Sequence, residues 1–526
     1  MQLTTIPFEK TGKFSKLILD YINKPKSLSE FIENEVSLQN FKTKISEREF
    51  SQEKRNLLVA QLASQYEAVG LETPGNVSLL LNENSFTVIT GHQLCLLGGP
   101  QYFIHKIVSC IKLSQQLKEA FPENDFAPVF WLASEDHDFE EINSVNLFGK
   151  ELKTETNYSG PVGRLEANIY SNVIKELEEI LGEAENDNEL KKLFSDAYSK
   201  GSLANAVRIW VNELFKDFGV IIIDGDDVEL KRSFSSIVKD ELLNRESVGA
   251  IQATSGQLKR LGYSAQVTPR DINLFYIEDG LRERIVFENN AYSILNTNLT
   301  FSEDEILELL KSNPEKFSPN AVMRPIYEEA ILPNLAYIGG PGEIAYWLQL
   351  KSNFERLGID FPLLVVRDSF LLPNTKLLNA FLDMGFDIED VFKDEHELLK
   401  GFLKRNSDSE LHFDKEEAML KELNQVLLDK IEGVDKSLSG MVNAELSKVN
   451  KLFDKLETKL IKAQKNKEEV SVNKIIKFRN TVLPNDVLVE RFESFIPTYL
   501  KYGKEYITWL VDCSNVFDSK LKVILE

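Results

Sequence analysis

Two periodicities divide this chain. From Phe86 to about residue 369, short apolar runs alternate with amphipathic stretches, and beyond about residue 376 apolar positions fall into heptad spacing. "FTVIT" (86–90) is a β-branched run, "QYFIHKIVSCIKLSQQLKEAF" (101–121) has helical spacing, and "APVFWLAS" (127–134) is a second apolar run. Strand, helix and strand in that order predict a βαβ unit with a parallel sheet and a right-handed crossover. The pattern recurs in "AVRIWVNELFKDF" leading to "GVIIID", and in the long segment from Met323 leading to "FPLLVVRDS". At least four buried strands separated by helices predict a doubly wound α/β core. Residues 13–70 carry three- and four-residue apolar spacing and predict helices. Residues of about 246–300 alternate like antiparallel β-structure, so they predict an insertion.

In the C-terminal third, Val442, Leu446, Val449, Phe453, Leu456, Leu460 and Ala463 follow a 4-3 alternation, the seam of a coiled coil. Leu420, Leu423, Leu427, Ile431, Val434, Leu438 and Met441 precede it with similar spacing, interrupted by Gly433 and Gly440. An antiparallel helical hairpin or a long helix pair fits, and a seam of this kind predicts a homodimer. The chain therefore divides into a core over 1–375, with insertions at about 150–205 and 246–320, a helical coiled coil over 376–484, and closing helices over 485–526 that return to the core.

Composition narrows the function. The formal net charge is −22, which argues against a nucleic-acid partner, because phosphate affinity needs a basic surface. It leaves room for a local basic pocket. The three cysteines, Cys95, Cys110 and Cys513, form no CxxC or spaced ligand set, so neither structural zinc nor a disulfide framework is expected, and no metal is assigned. No secretory leader pattern opens the chain, and no apolar stretch has membrane-spanning length, so a cytoplasmic protein without a membrane partner is expected.

Candidate chemistry sits at predicted strand ends, where open parallel sheets bind their ligands. Thr90-Gly91-His92-Gln93 leads into Gly98-Gly99-Pro100. Glu135-Asp136-His137-Asp138 follows the second strand, and Arg367 follows the last. Gly339, Gly340 and Gly342 open another helix, with Glu343 and Tyr346 in its first turns. The acid–base candidates are Asp136, His137, Asp138 and His92. Thr90, Gln93, Glu135, Tyr102, Arg324, Glu343, Tyr346 and Arg367 are candidate substrate ligands, the arginines as carboxylate or phosphate clamps. Gly98, Gly99, Pro100, Gly339, Gly340 and Gly342 are candidate phosphate or nucleotide contacts, by way of helix-start N–H groups. No Walker A loop or GxGxxG fingerprint is present. The whole set requires that the turns after residues 90, 135, 340 and 367 open into one cleft.

The stretches "TGHQLCLLGGPQYFIHKIVSCIKLSQQL", "PVFWLASEDHDFEEIN", "MRPIYEEAILPNLAYIGGPGEIAYWLQLK" and "PLLVVRDS" resemble the bacillithiol-biosynthesis cysteine-adding enzymes, the BshC family. That resemblance extends through "GYSAQV", "NLFYIEDGLRER" and "LPNDVLVERFESFIPTYLKYGKEYI". It implies a Rossmann-like core similar to nucleotidylyltransferases and class I aminoacyl-tRNA synthetases, with connecting-peptide insertions and a dimerising coiled coil. It also implies an amide-forming ligase that adds L-cysteine to the amine of glucosaminyl-malate. ATP or another nucleotide is the expected source of carboxyl activation. The family pattern carries glutamine where this chain has His92. A nucleotidyl-transferring enzyme on the same core, or a coiled-coil scaffold without catalysis, are the alternatives.

Overall fold

A computed structural model describes residues 2–156, 158–199, 201–405 and 413–525. The chain forms two compact units, Met1–Leu371 with Val489–Ile524, and Leu372–Leu488 with Leu525–Glu526.

In the first unit the buried runs become a five-stranded parallel sheet. Its strands are β1 (Ser85–His92), β2 (Asp125–Leu132), β3 (Ile221–Asp224), β4 (Asn334–Gly339) and β5 (Leu363–Val366), in the order 5-4-1-2-3. All but the last residue of β1 is buried, as both-face coverage by helices requires. Helix α1 (Tyr102–Ala120) crosses from β1 to β2 and is buried around most of its circumference, so His105, Lys106 and Ser109 lie inside the protein. After β3 the chain enters α3 only after its earlier crossover helix α2 (Leu203–Phe215) has delivered it there; α3 itself spans Val228–Leu243. Helix α4 (Arg324–Ile331) precedes β4, and α5 (Pro341–Trp347) links β4 to β5. Strand order reverses between β1 and β4, which makes their carboxyl ends the topological switch point.

The insertion differs from its predicted form at its start. Residues Ser247–Arg260 are helical, and the antiparallel sheet follows, built from 274–278, 281–288, 291–294, 300–301 and 317–319. Two terminal strands were hidden from periodicity. Gln2–Pro7 and Lys520–Leu525 join Ser369–Leu371 in a three-stranded sheet, so the returning C-terminal segment ends in a strand after its helices. Both are too short, and too close to the ends, to establish a repeat.

The second unit is helical. Helices Asp414–Glu432 and Ser439–Lys467 pack against each other as a hairpin. Leu420, Leu427 and Ile431 on one arm and Val442, Leu446, Val449 and Phe453 on the other are half-buried, while Leu456 and Leu460 are exposed. Phe381 stacks on Phe386 and packs at a tilt against Phe478, anchoring the base of this unit. No helix among the described residues is long and apolar enough to cross a membrane.

One buried carboxyl marks the join of α4 and β4. Glu329 is 1% exposed, accepts a hydrogen bond from Asn334 Nδ2 at 2.6 Å on one oxygen and has no partner on the other. Burial, only partly offset by Arg48, raises its pKa from 4.5 to about 8. Between those values the folded chain holds a proton that the unfolded chain has released, so stability falls as pH rises through that window. Glu329→Gln is expected to melt higher than the parent at pH 8 and to lose this slope, as thermal melts from pH 4.5 to 8 would measure.

Candidate active site

The carboxyl ends of β1, β2, β4 and β5 border one cleft of about 720 Å³. Gly91, His92 and Gln93 come from the first corner, Glu135 and Asp136 from the second, Gly340, Gly342, Glu343 and Tyr346 from the third, and Arg367 from the fourth. The four turns therefore meet, as their chemistry demanded. The opposite wall comes from the insertion, through Thr268, Arg270, Phe275, Arg282 and Arg284, and Arg491 closes one side from the returning C-terminal segment. Seven lysine or arginine side chains face three carboxylates here, a cationic hollow in an acidic protein.

The pair at the switch point is Lys106 with Glu343. Lys106 Nζ lies 2.7 Å from Glu343 Oε2 and also donates to the Gly91 carbonyl, so α1, β1 and α5 are tied at one place. Glu343 further accepts from the Tyr337 hydroxyl and from the Gly340 N–H. Burial alone would raise its pKa, but Lys106 and these donors bring it down from 4.5 to about 2. Burial lowers the pKa of Lys106 in turn. Arg324 is paired with Glu328 and donates to the Tyr346 hydroxyl at 2.6 Å.

His92 is the histidine that faces the cleft. Its Nδ1 lies 3.0 Å from the Gln93 carbonyl, which can only accept, so Nδ1 carries the hydrogen and Nε2 the lone pair. Tyr102 and Phe103 pack on its ring. Burial first, then Lys106, lowers its pKa to about 3, so the ring is neutral at physiological pH. Asp136 is held in place by the Gln93 side-chain amide and the His137 N–H. Burial opposes its ionisation, yet His137, Arg282 and Gln93 keep it well below the usual carboxylate range. Glu135 is paired with Lys231 at 2.8 Å.

Several candidates have other work. His137 points outward, 46% exposed, and its Nδ1 accepts from Arg282 at 2.7 Å, so it holds an arginine instead of reaching the cleft. Asp138 is exposed and does not line the cleft. Thr90 is fully buried and donates to the Ile338 carbonyl at 2.8 Å, stitching β1 to β4. Gly98, Gly99 and Pro100 also lie away from the cleft. Gly98, at φ +83°, fits beneath Trp210 and Phe495, and Gly99 leaves no room for a side chain against Cys95. Pro100 forms a bridge with Ser494, so the helix starts at Tyr102. Gly339 is packed against Tyr337 and Ile344. Gly340 and Gly342 do line the cleft, and the Gly340 N–H is already bonded to Glu343. Tyr102 and Gln93 are in the cleft as expected.

Reading the sequence missed Lys106, Arg270, Arg282, Arg284 and Arg491. Lys106 had a signal, since a cation inside the apolar run "FIHKIVSC" needs a buried partner. The arginines had none, because their convergence depends on how the insertion and the C-terminal return fold over the sheet.

Breaking the Lys106–Glu343 pair leaves a buried ammonium uncompensated. Glu343→Gln is expected to lose roughly 3 kcal/mol at neutral pH. The lowered Glu343 pKa adds stability that is present above pH 4.5 and is lost as pH falls toward about 2, so the variant's melting temperature should fall less than the parent's across that window.

Residues 1–368 match the family model "Bacillithiol biosynthesis BshC, N-terminal Rossmann-like domain", and residues 370–526 match "Bacillithiol biosynthesis BshC, C-terminal coiled-coil domain". A Flavobacterium psychrophilum protein named "Putative cysteine ligase BshC" is 43% identical over 97% of each chain. Proteins of the same name from Flavobacterium johnsoniae and Geobacillus sp. are 41% identical over the full length of both chains, and 30% identical over 89% of this chain and 90% of that one.

Proposed function

Because the chain belongs to the bacillithiol-biosynthesis BshC family of ligase enzymes, we propose that it joins the carboxyl of L-cysteine to the amine of glucosaminyl-malate, the amide-forming last step to bacillithiol. The observation that carries this reading is the unbalanced charge of the cleft. Arg270, Arg284 and Arg491 line it, and among the described residues none has a carboxylate partner. A substrate with two carboxylates supplies the missing counter-charge, and guanidinium forks match carboxylates in shape.

Amide formation at neutral pH needs a leaving group on the cysteine carboxyl, which ATP or another nucleotide supplies as an acyl-phosphate or acyl-adenylate. The amine nitrogen attacks the acyl carbon, the C–N bond forms, and the C–O bond to the phosphoryl oxygen breaks, with the electron pair leaving on that oxygen. Lys106 and Arg367 face the negative charge that develops. The neutral ring's Nε2 (His92) accepts a hydrogen bond from the amine N–H and orients the attacking nitrogen, and the proton leaves to water as the C–N bond forms.

The exposed apolar side chains of the helical hairpin, Met419, Leu423, Val426, Leu452 and Leu456 among them, form the surface on which two copies pair. The reaction takes place in the cytoplasm.

Incubation with glucosaminyl-malate, L-cysteine and ATP should yield a product whose mass is the sum of the two organic substrates less one water, together with AMP or ADP. Absence of that mass would reject the ligase reading. His92→Ala should lower turnover at least about a hundredfold, while His92→Gln, which keeps an acceptor, and His137→Ala should each stay within about tenfold of the parent. Light scattering should find a dimer, and Val426→Glu with Leu456→Glu should give monomers.

A further inference from the structure

Resting on the proposed ligase reading, we propose that Glu490 is the positioning residue for Arg367: it takes one N–H from each terminal nitrogen of the guanidinium and so fixes the Nε edge, Nε–H beside the second Nη2 N–H, as the edge that Arg367 offers to the reacting acyl group. Glu490 stands on the segment that returns after the second unit's sequence, and it is 1% exposed. Its Oε1 lies 2.7 Å from Arg367 Nη2 and 3.0 Å from Ser369 Oγ. Its Oε2 lies 3.2 Å from Arg367 Nη1, 2.9 Å from His105 Nδ1 and 3.3 Å from the Phe370 nitrogen. Five donors on one carboxylate allow it a single orientation. The Asp368 carbonyl and Ser369 Oγ also accept from Arg367 Nη1.

The guanidinium is itself 98% hidden from solvent, yet it reaches the cleft, and Tyr102 lies against its face at 5.3 Å. Nε is buried with no hydrogen-bond partner. It is turned toward Gly340, where a side chain's first carbon would come within 3.9 Å of it. A buried guanidinium N–H without an acceptor is costly, and a substrate oxygen placed against Gly340 removes that cost. Glu490 therefore has two effects. It fixes which edge of the guanidinium is presented, and it neutralises a cation that would otherwise hold any anion too tightly and in the wrong place.

The second effect separates positioning from a structural role. In Glu490→Gln the guanidinium loses its counter-charge, so binding of inorganic phosphate, measured by calorimetry, should tighten about fivefold or more. That gain should vanish in Glu490→Gln with Arg367→Gln. Turnover of Glu490→Gln should fall about tenfold or more through kcat, Glu490→Asp should recover part of it, and the double variant should be no slower than Arg367→Gln alone. Unchanged phosphate affinity in folded Glu490→Gln, or losses that multiply in the double variant, would overturn the assignment. Should Glu490→Gln not fold, Arg367→Lys keeps the ion pair but has no Nε: loss of kcat with an unchanged melting temperature supports the role, and parental kcat rejects it. Failure of the parent to make amide counts against the ligase reading alone, since the phosphate measurement does not depend on it.

Discussion

Cations buried beside a ligand site must be held by acids, and this requirement organises the molecule. Lys106 is held by Glu343, Arg324 by Glu328, Arg367 by Glu490, and Lys231 by Glu135 and Asp226. The ties of Lys106 to Glu343, Arg367 to Glu490 and Lys231 to Glu135 join elements far apart in sequence, whereas Arg324 and Glu328 lie one turn apart on α4. In a medium of low polarity an unpaired charge is costly, so an element that carries one partner is bound to the element that carries the other. The switch point between β1 and β4 is thus closed by Lys106 and Glu343, and the C-terminal return is locked to the sheet by Glu490.

Two of the cations that escape this pairing lie on the opposite side of the cleft, and a third, Arg491, comes from the C-terminal return. The antiparallel insertion supplies Arg284 from its second strand and Arg270 from the loop before its first, and neither meets a carboxylate among the described residues. Gln349 pins that loop, accepting from the Gln266 and Val267 N–H groups and donating to the Val267 carbonyl. The sheet side of the cleft is therefore electrostatically settled, and the insertion side is left to be neutralised by a ligand. This local surplus stands against a net charge of −22 over the whole chain.

Much of the core was legible in advance. Buried β-branched runs with helices between them admit few arrangements other than a parallel sheet, and strand ends are where such sheets bind ligands. His92, Gln93, Asp136, Tyr102, Glu343, Tyr346 and Arg367 reach the cleft accordingly. The glycine turns were misleading. Gly98 and Gly99 are needed for close packing beneath Trp210 and Phe495 and against Cys95, and a backbone that needs room for a neighbour looks in sequence like one that needs room for a ligand. His137 misled for a related reason: proximity to Asp136 along the chain says nothing about which way a side chain turns.

By itself, the sequence determined the class of core, the heptad hairpin and the family, because periodicity and long ordered motifs are local properties that survive without coordinates. Tertiary structure alone decided which histidine faces the cleft, which arginines remain unpaired and which carboxylate aims Arg367. Those outcomes depend on contacts between residues more than a hundred positions apart, such as His137 with Arg282 and Arg367 with Glu490. Charge pairing acts through space, and no spacing along the chain encodes it.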